Sequence, residues 1–304
     1  MKFCHSERSD ESSLSDDLMT IPIPNPLPQA GEGADMERRF GGVSRLYGQA
    51  GLAKLQAAHV VVIGVGGVGS WAAEALARSA IGSITLIDLD NIAESNVNRQ
   101  IHALDGAFGQ AKVSAMCERI VSINPNCAVH AIEDFITPEN VTKLLNFPSE
   151  MQCDVIVDCI DDAKAKIALA EFCKSAKMPL IMAGAAGGRL DPTRIKAADL
   201  SAVTGDKLLA KVRNQLRRHY KFPKAFNTKK SAKFGIVCVY SDEQTITPNN
   251  NYAAIETNNH AASGNADHCA ITGLNCAGYG SSVSVTATFG FVAAQLALNC
   301  ILQR

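Results

Sequence analysis

His59-Val-Val-Val-Ile63 runs into Gly64-Val65-Gly66-Gly67-Val68-Gly69, then a helical stretch, then a second β-branched run that ends in Asp88-Leu89-Asp90 and is followed by Asn96-Val97-Asn98-Arg99. Strand, glycine turn, helix, strand and terminal acid in that order make a nucleotide-binding βαβ unit. Glycines let backbone N–H groups approach phosphates at a helix N-terminus. Gly64, Gly66, Gly67 and Gly69 are therefore the expected cofactor-facing turn. The fingerprint alone does not separate NAD from ATP.

The residues that follow do. A dinucleotide oxidoreductase needs one acid after its second strand, for the ribose hydroxyls. Here Asp90 follows Asp88 within two residues, and Asn96 and Arg99 come soon after, a grouping that suits a charged polyphosphate. Asp88 is expected to hold the ribose, Asp90 to sit near a metal ion or the phosphates, and Asn96 and Arg99 to offer donors to phosphate oxygens. Lys112 lies near the start of the next helical run, and Asp161-Asp162 end the apolar run 154–160. Ligands in open α/β sheets bind at the carboxyl ends of strands, so these side chains are expected to converge. Alone, Arg99 or Lys112 reads as a solvated surface charge. Together they point to ATP, because in an NAD-dependent oxidoreductase Arg99 and Lys112 would have no job.

Helices expected near 70–79, 110–121, 141–145 and 163–177 alternate with strands near 60–63, 83–88, 128–133, 155–159 and 180–183. That alternation predicts an α/β fold, a doubly wound, mostly parallel Rossmann-like sheet. Three segments follow: 1–35 as a disordered extension or mis-called start, 36–188 as the ATP-binding region, and 189–304 as an irregular C-terminal lobe of the same domain for substrate recognition and dimerisation. Within the lobe, Phe234 to Tyr240 reads as a strand and Asn249 to Asn265 as a polar loop of open role. Val283 to Leu302 carries no charge and is long enough to span a membrane. Ser284, Thr286, Thr288, Gln295 and Asn299 interrupt it, so a core or dimer-interface helix is the stronger reading and peripheral membrane association the weaker.

The 304 residues are 47% hydrophobic, enough for one large core, and the net charge of -1 argues neither for nor against nucleic acid. Charge distribution says more. Between Lys207 and Lys233 there is no acid and there are ten Lys and Arg residues, among them Lys211, Arg213, Arg217 and Arg218, interleaved with Tyr220, Phe222 and Phe226. Such a stretch suits a phosphate backbone. Leu208, Leu209, Val212 and Leu216 recur at helical spacing, so an amphipathic helix with a solvated basic face fits equally, and both hold at once. The ten cysteines are scattered without a Cys-x-x-Cys pair, which reads as free thiols in a reducing cytoplasm. Residues 1–35 combine a Ser, Asp and Glu cluster with Ile21-Pro22-Ile23-Pro24-Asn25-Pro26-Leu27-Pro28, which suits neither helix nor central strand. They lack the apolar core of a signal peptide, and Met36 is the expected true start.

Asp88-Leu-Asp90 with Asn96-x-x-Arg99-Gln100, Lys112 and Asp161 resembles the adenylation domain of the ubiquitin-activating-enzyme-like superfamily, which includes the ThiF and MoeB proteins. Within it, Arg39-Phe40-Gly41-Gly42, the run Gly66 to Arg78, Asn98-Arg99-Gln100-Ile101-His102-Ala103-Leu104 and Val285 to Phe291 resemble the tRNA threonylcarbamoyladenosine dehydratases, from about Arg38 to the C-terminus. The resemblance implies ATP and magnesium as cofactors and conversion of a carboxylate to an acyl-adenylate. It implies catalytic roles for Arg39, Arg99, Lys112 and Asp161. Arg39, with Arg38 beside it, matches the arginine that a partner subunit inserts toward the phosphates, so a homodimer is expected. Asp161 is the magnesium-side acid, with Asp90 as a second candidate. ThiF and MoeB proteins typically carry two Cys-x-x-Cys pairs, so no zinc is expected here. Cys238 and Cys276 fall where the dehydratase pattern also has cysteines, with a buried structural role preferred for both. The partners implied are tRNA bearing threonylcarbamoyladenosine and, as a further candidate, a sulfur-transfer protein. Two alternatives of other kinds remain: an adenylating enzyme for a ubiquitin-like sulfur carrier, and a non-catalytic nucleotide-binding scaffold.

Overall fold

The run His59–Ile63 is buried at every position and forms β1, the centre of the sheet. The computed structural model describes residues 34–148, 151–224, 232–246 and 279–304. Residues 1–33, the Asn-rich stretch 249–265, Cys276 and the middle of the basic stretch, 225–231, lie outside the described residues. β1 is flanked by β2 (Ser83–Ile87), then β3 (Ala128–Ile132), on one side, and by β4 (Val155–Asp158), then β5 (Leu180–Ala183), on the other. All four pairings are parallel. A parallel sheet is covered on both faces, so β1, β4 and β5 read as unbroken apolar runs and are buried throughout.

The sheet continues into the C-terminal part. β7 (Val237–Ser241) pairs parallel to β5, and β6 (Ile195–Asp199) closes the edge antiparallel to β7, giving the order β3-β2-β1-β4-β5-β7-β6. The described part of 189–304 is thus more regular than a lobe of irregular structure. The expected strand 234–240 begins only at Val237, because Gly235 takes φ +76° and the Asp199 carboxylate accepts the N–H groups of Phe234 and Gly235.

One face carries α2 (Gly69–Arg78), α3 (Lys112–Ile123) and α7 (Val283–Leu302); the other carries α4 (Val141–Leu145), α5 (Ala163–Ala176) and α6 (Lys207–His219). Asp162 caps α5 through Ala165 N–H and Asp206 caps α6 through Leu209 N–H, at 2.8 and 2.9 Å. A helix absent from the sequence reading, α1 (Ala34–Ala57), precedes β1 and breaks at Gly48, φ +76°. α7 is long and apolar enough to cross a membrane, yet its Val285, Phe289, Ala293 and Ala297 lie in the core beside β4 and β5. A Cβ on Gly290 would lie 2.5 Å from Val68 O and 2.8 Å from Ala72 N, so α7 and α2 meet backbone to backbone. Burying Phe289 completely contributes roughly 2–3 kcal/mol, which favours the core over exposure.

Candidate nucleotide and phosphate site

Strand order reverses between β1 and β4, and the loops leaving their carboxyl ends open the crevice where such sheets bind ligands. The glycine turn leaves β1 there. Gly64 sits at φ +82°, and a Cβ on it would lie 3.0 Å from the Cys159 backbone; a Cβ on Gly69 would fall 1.8 Å from Gly64 O. Those two glycines pack the turn against β4 and the start of α2. Gly66 and Gly67 face the next segment instead: Gly66 lies opposite Gln100 Nε2 and Gly67 against the Arg99 side chain. The first turn of α2 starts from this same turn, with Ser70 N–H donating to Gly66 O at 3.1 Å.

Asp88 ends β2 and ties the turn in place. Its Oδ2 accepts Val65 N–H at 2.6 Å and its Oδ1 accepts Asp90 N–H at 2.9 Å. Burial pushes its pKa up, against the opposing pull of Lys112. Asn96 is buried in a short 3-10 turn (Glu94–Asn96), where its Oδ1 accepts Ala93 N–H, leaving Nδ2 as its remaining donor. Arg99 is held by Ser95 O and Asn98 Oδ1 at 2.8 and 3.0 Å, while its carbonyl accepts the Trp71 indole N–H at 2.9 Å. Lys112 is the first residue of α3; its buried Nζ lies 2.7 Å from Asp90 Oδ2 and its backbone N–H donates to Asp90 O. Asp90 was expected beside a metal ion or phosphate. The structure instead gives its carboxylate to Lys112, because a cation at the positive end of a helix dipole needs an anionic neighbour.

Asp161 follows β4, half-buried, and makes no hydrogen bond or ion pair among the described residues. Beneath it Asp158 is fully buried and paired with Lys166 Nζ at 3.0 Å; burial pushes the Asp158 pKa up, and Lys166 opposes it. Among the described residues there is no cluster of three or more His, Cys, Asp or Glu side chains placed to hold a metal. Arg39 is exposed on α1, its Nη1 donating to Ile123 O at 3.1 Å. Ile123 ends α3, so that anchor lies at the opposite end of α3 from Lys112, about 16 Å along the axis.

The basic residues of α6 divide. Lys211 and Arg218 are exposed. Arg213 was expected to face solvent, but its Nη1 donates to Val203 O and Leu200 O. Arg217 was expected there too, but its Nε donates to Pro223 O and its guanidinium lies 5.3 Å over the Phe234 ring. Both corrections have one cause: long side chains beside carbonyl-rich turns satisfy those acceptors before solvent does. Cys238 is fully buried in β7, and burial pushes its thiol pKa up, which keeps it protonated.

Sequence reasoning gave no role to two buried residues beside this site. Gln100 Oε1 and both ring nitrogens of His102 are buried without a hydrogen-bond partner among the described residues. Their middle neighbour, Ile101, donates its N–H to Ser70 Oγ at 3.5 Å, which places the segment against the first turn of α2. Burial, with Lys112 and Arg119 nearby, lowers the His102 pKa to about 4. Both residues stand in the motif after Arg99, which was the one available signal.

Residues 41–304 match the ThiF family. The chain is 44% identical over 270 residues to tRNA threonylcarbamoyladenosine dehydratase of Haemophilus influenzae, spanning 88% of this chain and 95% of that protein. It is 42% identical over 267 residues to the Escherichia coli protein of the same name, spanning 88% and 94%. Among solved structures, Escherichia coli tRNA N6-threonylcarbamoyladenosine dehydratase in complex with ATP is similar at a TM-score of 0.74 and 40% identity, covering 88% of this chain and 96% of that one. The complex with AMP gives 0.74 and 40% over 90% and 98%. Similarity to the Escherichia coli molybdopterin-synthase adenylyltransferase is narrower, 31% over 43% of this chain and 51% of that protein.

Proposed function

The chain belongs to the ThiF family, and from that premise we propose that it is an ATP-dependent tRNA threonylcarbamoyladenosine dehydratase. A carboxylate is a poor electrophile, since oxide is a poor leaving group. The threonine carboxylate attacks the α-phosphorus of ATP, pyrophosphate leaves, and the resulting acyl-adenylate carries AMP as leaving group. An internal group of the modified nucleoside then attacks the acyl carbon, closes a ring and expels AMP. The nucleoside loses one water in all. What the protein supplies is in-line positioning and neutralisation of phosphate charge.

The observation that carries this reading is the gathering of Asp88, Asn96, Arg99, Lys112 and Asp161 around one glycine turn at the reversal of strand order. Asp88 takes the ribose hydroxyls, the α2 N-terminus with Gly66 and Gly67 takes phosphate, Asn96 Nδ2 donates a hydrogen bond to it, and Arg99 and Lys112 neutralise the oxygens. Magnesium would offset phosphate charge here, and such an ion usually takes only one or two protein carboxylates. Asp161, with no other partner among the described residues, fits that ligand; Asp90 fits it only after releasing Lys112. Arg39 is anchored at the far end of its own α3, which supports its acting on the site of a second subunit in a homodimer, with Arg38 as the alternative finger. ATP and tRNA as substrates support a cytoplasmic reaction.

The test incubates the protein with ATP, magnesium and tRNA bearing threonylcarbamoyladenosine, digests the tRNA mildly, and looks for a nucleoside lighter by one water. Its absence, with efficient adenylation of a Gly-Gly-ended carrier protein instead, would replace this reading with the sulfur-carrier one.

A further inference from the structure

α6 does not stand alone on its face of the sheet. It packs against α5, and both helices start at the catalytic edge: Asp162, the cap of α5, adjoins Asp161, and Asp206, the cap of α6, accepts Ala185 N–H just beyond β5. The helices therefore run away from the site side by side. Along α6, Lys207, Lys211, Asn214 and Arg218 recur at i, i+4, i+7 and i+11 and all are exposed, one polar stripe opposite the buried Leu208, Leu209, Val212 and Leu216. On α5, Lys164 is exposed in the first turn and Lys177 at the left-handed C-cap. Lys221, also exposed, joins the far ends, since its carbonyl accepts Lys174 Nζ at 3.3 Å while the Lys174 ammonium sits over the Phe222 ring. The two helices contain one carboxylate, Glu171.

We propose that α5 and α6 together form a phosphate-binding track for RNA, about 20 Å long by the rise of α6, that leads along the protein to the adenylation edge. Lys164 and Lys207 mark its catalytic end; Lys177, Arg218 and Lys221 mark its far end. The pattern suits a nucleic-acid backbone, because Lys207, Lys211 and Arg218, one to two turns apart along α6, with Lys164 and Lys177 at the two ends of α5, can neutralise phosphates along one line without reading bases. An acidic peptide would also meet the charge. The length of the track and its origin beside Asp161 favour a substrate whose reacting group enters the site while its backbone continues outside. Arg213 and Arg217 are excluded from the track, since they hold the loops around Val203 and Pro223 in place. The proposal rests on the tRNA reading above and adds α5 to it.

The experiment measures binding of full-length protein to tRNA bearing threonylcarbamoyladenosine over a range of salt concentrations. It compares wild type with the α5 pair Lys164→Glu/Lys177→Glu, the α6 pair Lys207→Glu/Lys211→Glu, and Lys54→Glu on α1 as a distant control. Each pair is expected to weaken binding about tenfold and to flatten the salt dependence by one to two counterions, with roughly 0.7–0.9 of a counterion released per phosphate contact. ATP affinity, measured in parallel on each protein, reports whether the fold is intact. If the α5 pair binds as wild type while the α6 pair is weakened, the two-helix track is overturned. If neither pair is weakened and dehydration persists, RNA docks elsewhere and the enzymatic reading stands. If wild type binds the tRNA through these helices but yields no dehydrated nucleoside, the enzymatic reading fails and the track remains. An acidic peptide that competes fully with tRNA at equal charge would also overturn the assignment to RNA.

Discussion

The substitution His102→Gln removes a buried imidazole whose two nitrogens have no hydrogen-bond partner among the described residues, and the consequence should be read in acid. The unfolded chain titrates this group near its ordinary value of 6.5, whereas in the folded protein burial, then Lys112 and Arg119, lower it to about 4. Between those two values the unfolded state binds the extra proton and the native state does not, so stability rises with pH there and is lost as pH falls. A shift of about 2.5 units, at 1.36 kcal/mol per unit, makes this single group responsible for about 3 kcal/mol between neutral pH and pH ~4. His59 and His130 are lowered in the same direction, but they are common to both proteins and cancel in the difference. Urea unfolding followed by the fluorescence of Trp71, the one tryptophan, at a series of pH values without ATP gives the two curves. Whatever the substitution costs at pH 7, the wild-type protein should lose about 3 kcal/mol more than the variant on going to pH ~4. Parallel curves would show that the imidazole is not held neutral, and the account of a buried His102 beside Lys112 and Arg119 would fall.

Lys166→Met leaves Asp158 buried without its cation and should cost about 3–5 kcal/mol in urea unfolding, while Asp158→Leu/Lys166→Met recovers most of that loss; a single variant within 1 kcal/mol of wild type would refute the pairing. Gly290→Ala forces a methyl toward Val68 O, so α7 must move off α2. Thermal unfolding should show a loss of about 2 kcal/mol, and the KM for ATP should rise, because Val68 belongs to the glycine turn. Mixed dimers of Arg39→Ala and Asp161→Ala subunits should regain part of the dehydration activity that each variant lacks, because one of the two sites is then intact; no recovery from confirmed heterodimers would place the finger in cis or on Arg38.

β1, β4 and β5 were legible because a strand buried on both faces is apolar at every position, a pattern visible without knowing its neighbours. β6 was not, since Ile-Lys-Ala-Ala-Asp at a sheet edge alternates weakly, and its stability depends on pairing with Val237–Ser241 and on Lys196 meeting Asp242, more than forty residues away. α1 was hidden by Gly41, Gly42, Gly48 and Gly51, which lower helix propensity; what holds it is packing against α7, a contact no local window contains. The site followed the same division. Asp88, Asn96, Arg99 and Lys112 could be placed near the glycine turn because a strand end, a turn and a helix start fix where those residues stand. Their present partners could not. Charge type predicts that Lys112 seeks an anion, but only the fold decides that Asp90 reaches it first, and only the fold hands Arg213 and Arg217 the carbonyls of distant turns. Cations read from sequence are therefore a list of capacities, and the structure decides which are already spent. On α6, Arg213 and Arg217 are engaged in this way, while Lys207, Lys211 and Arg218 stay exposed.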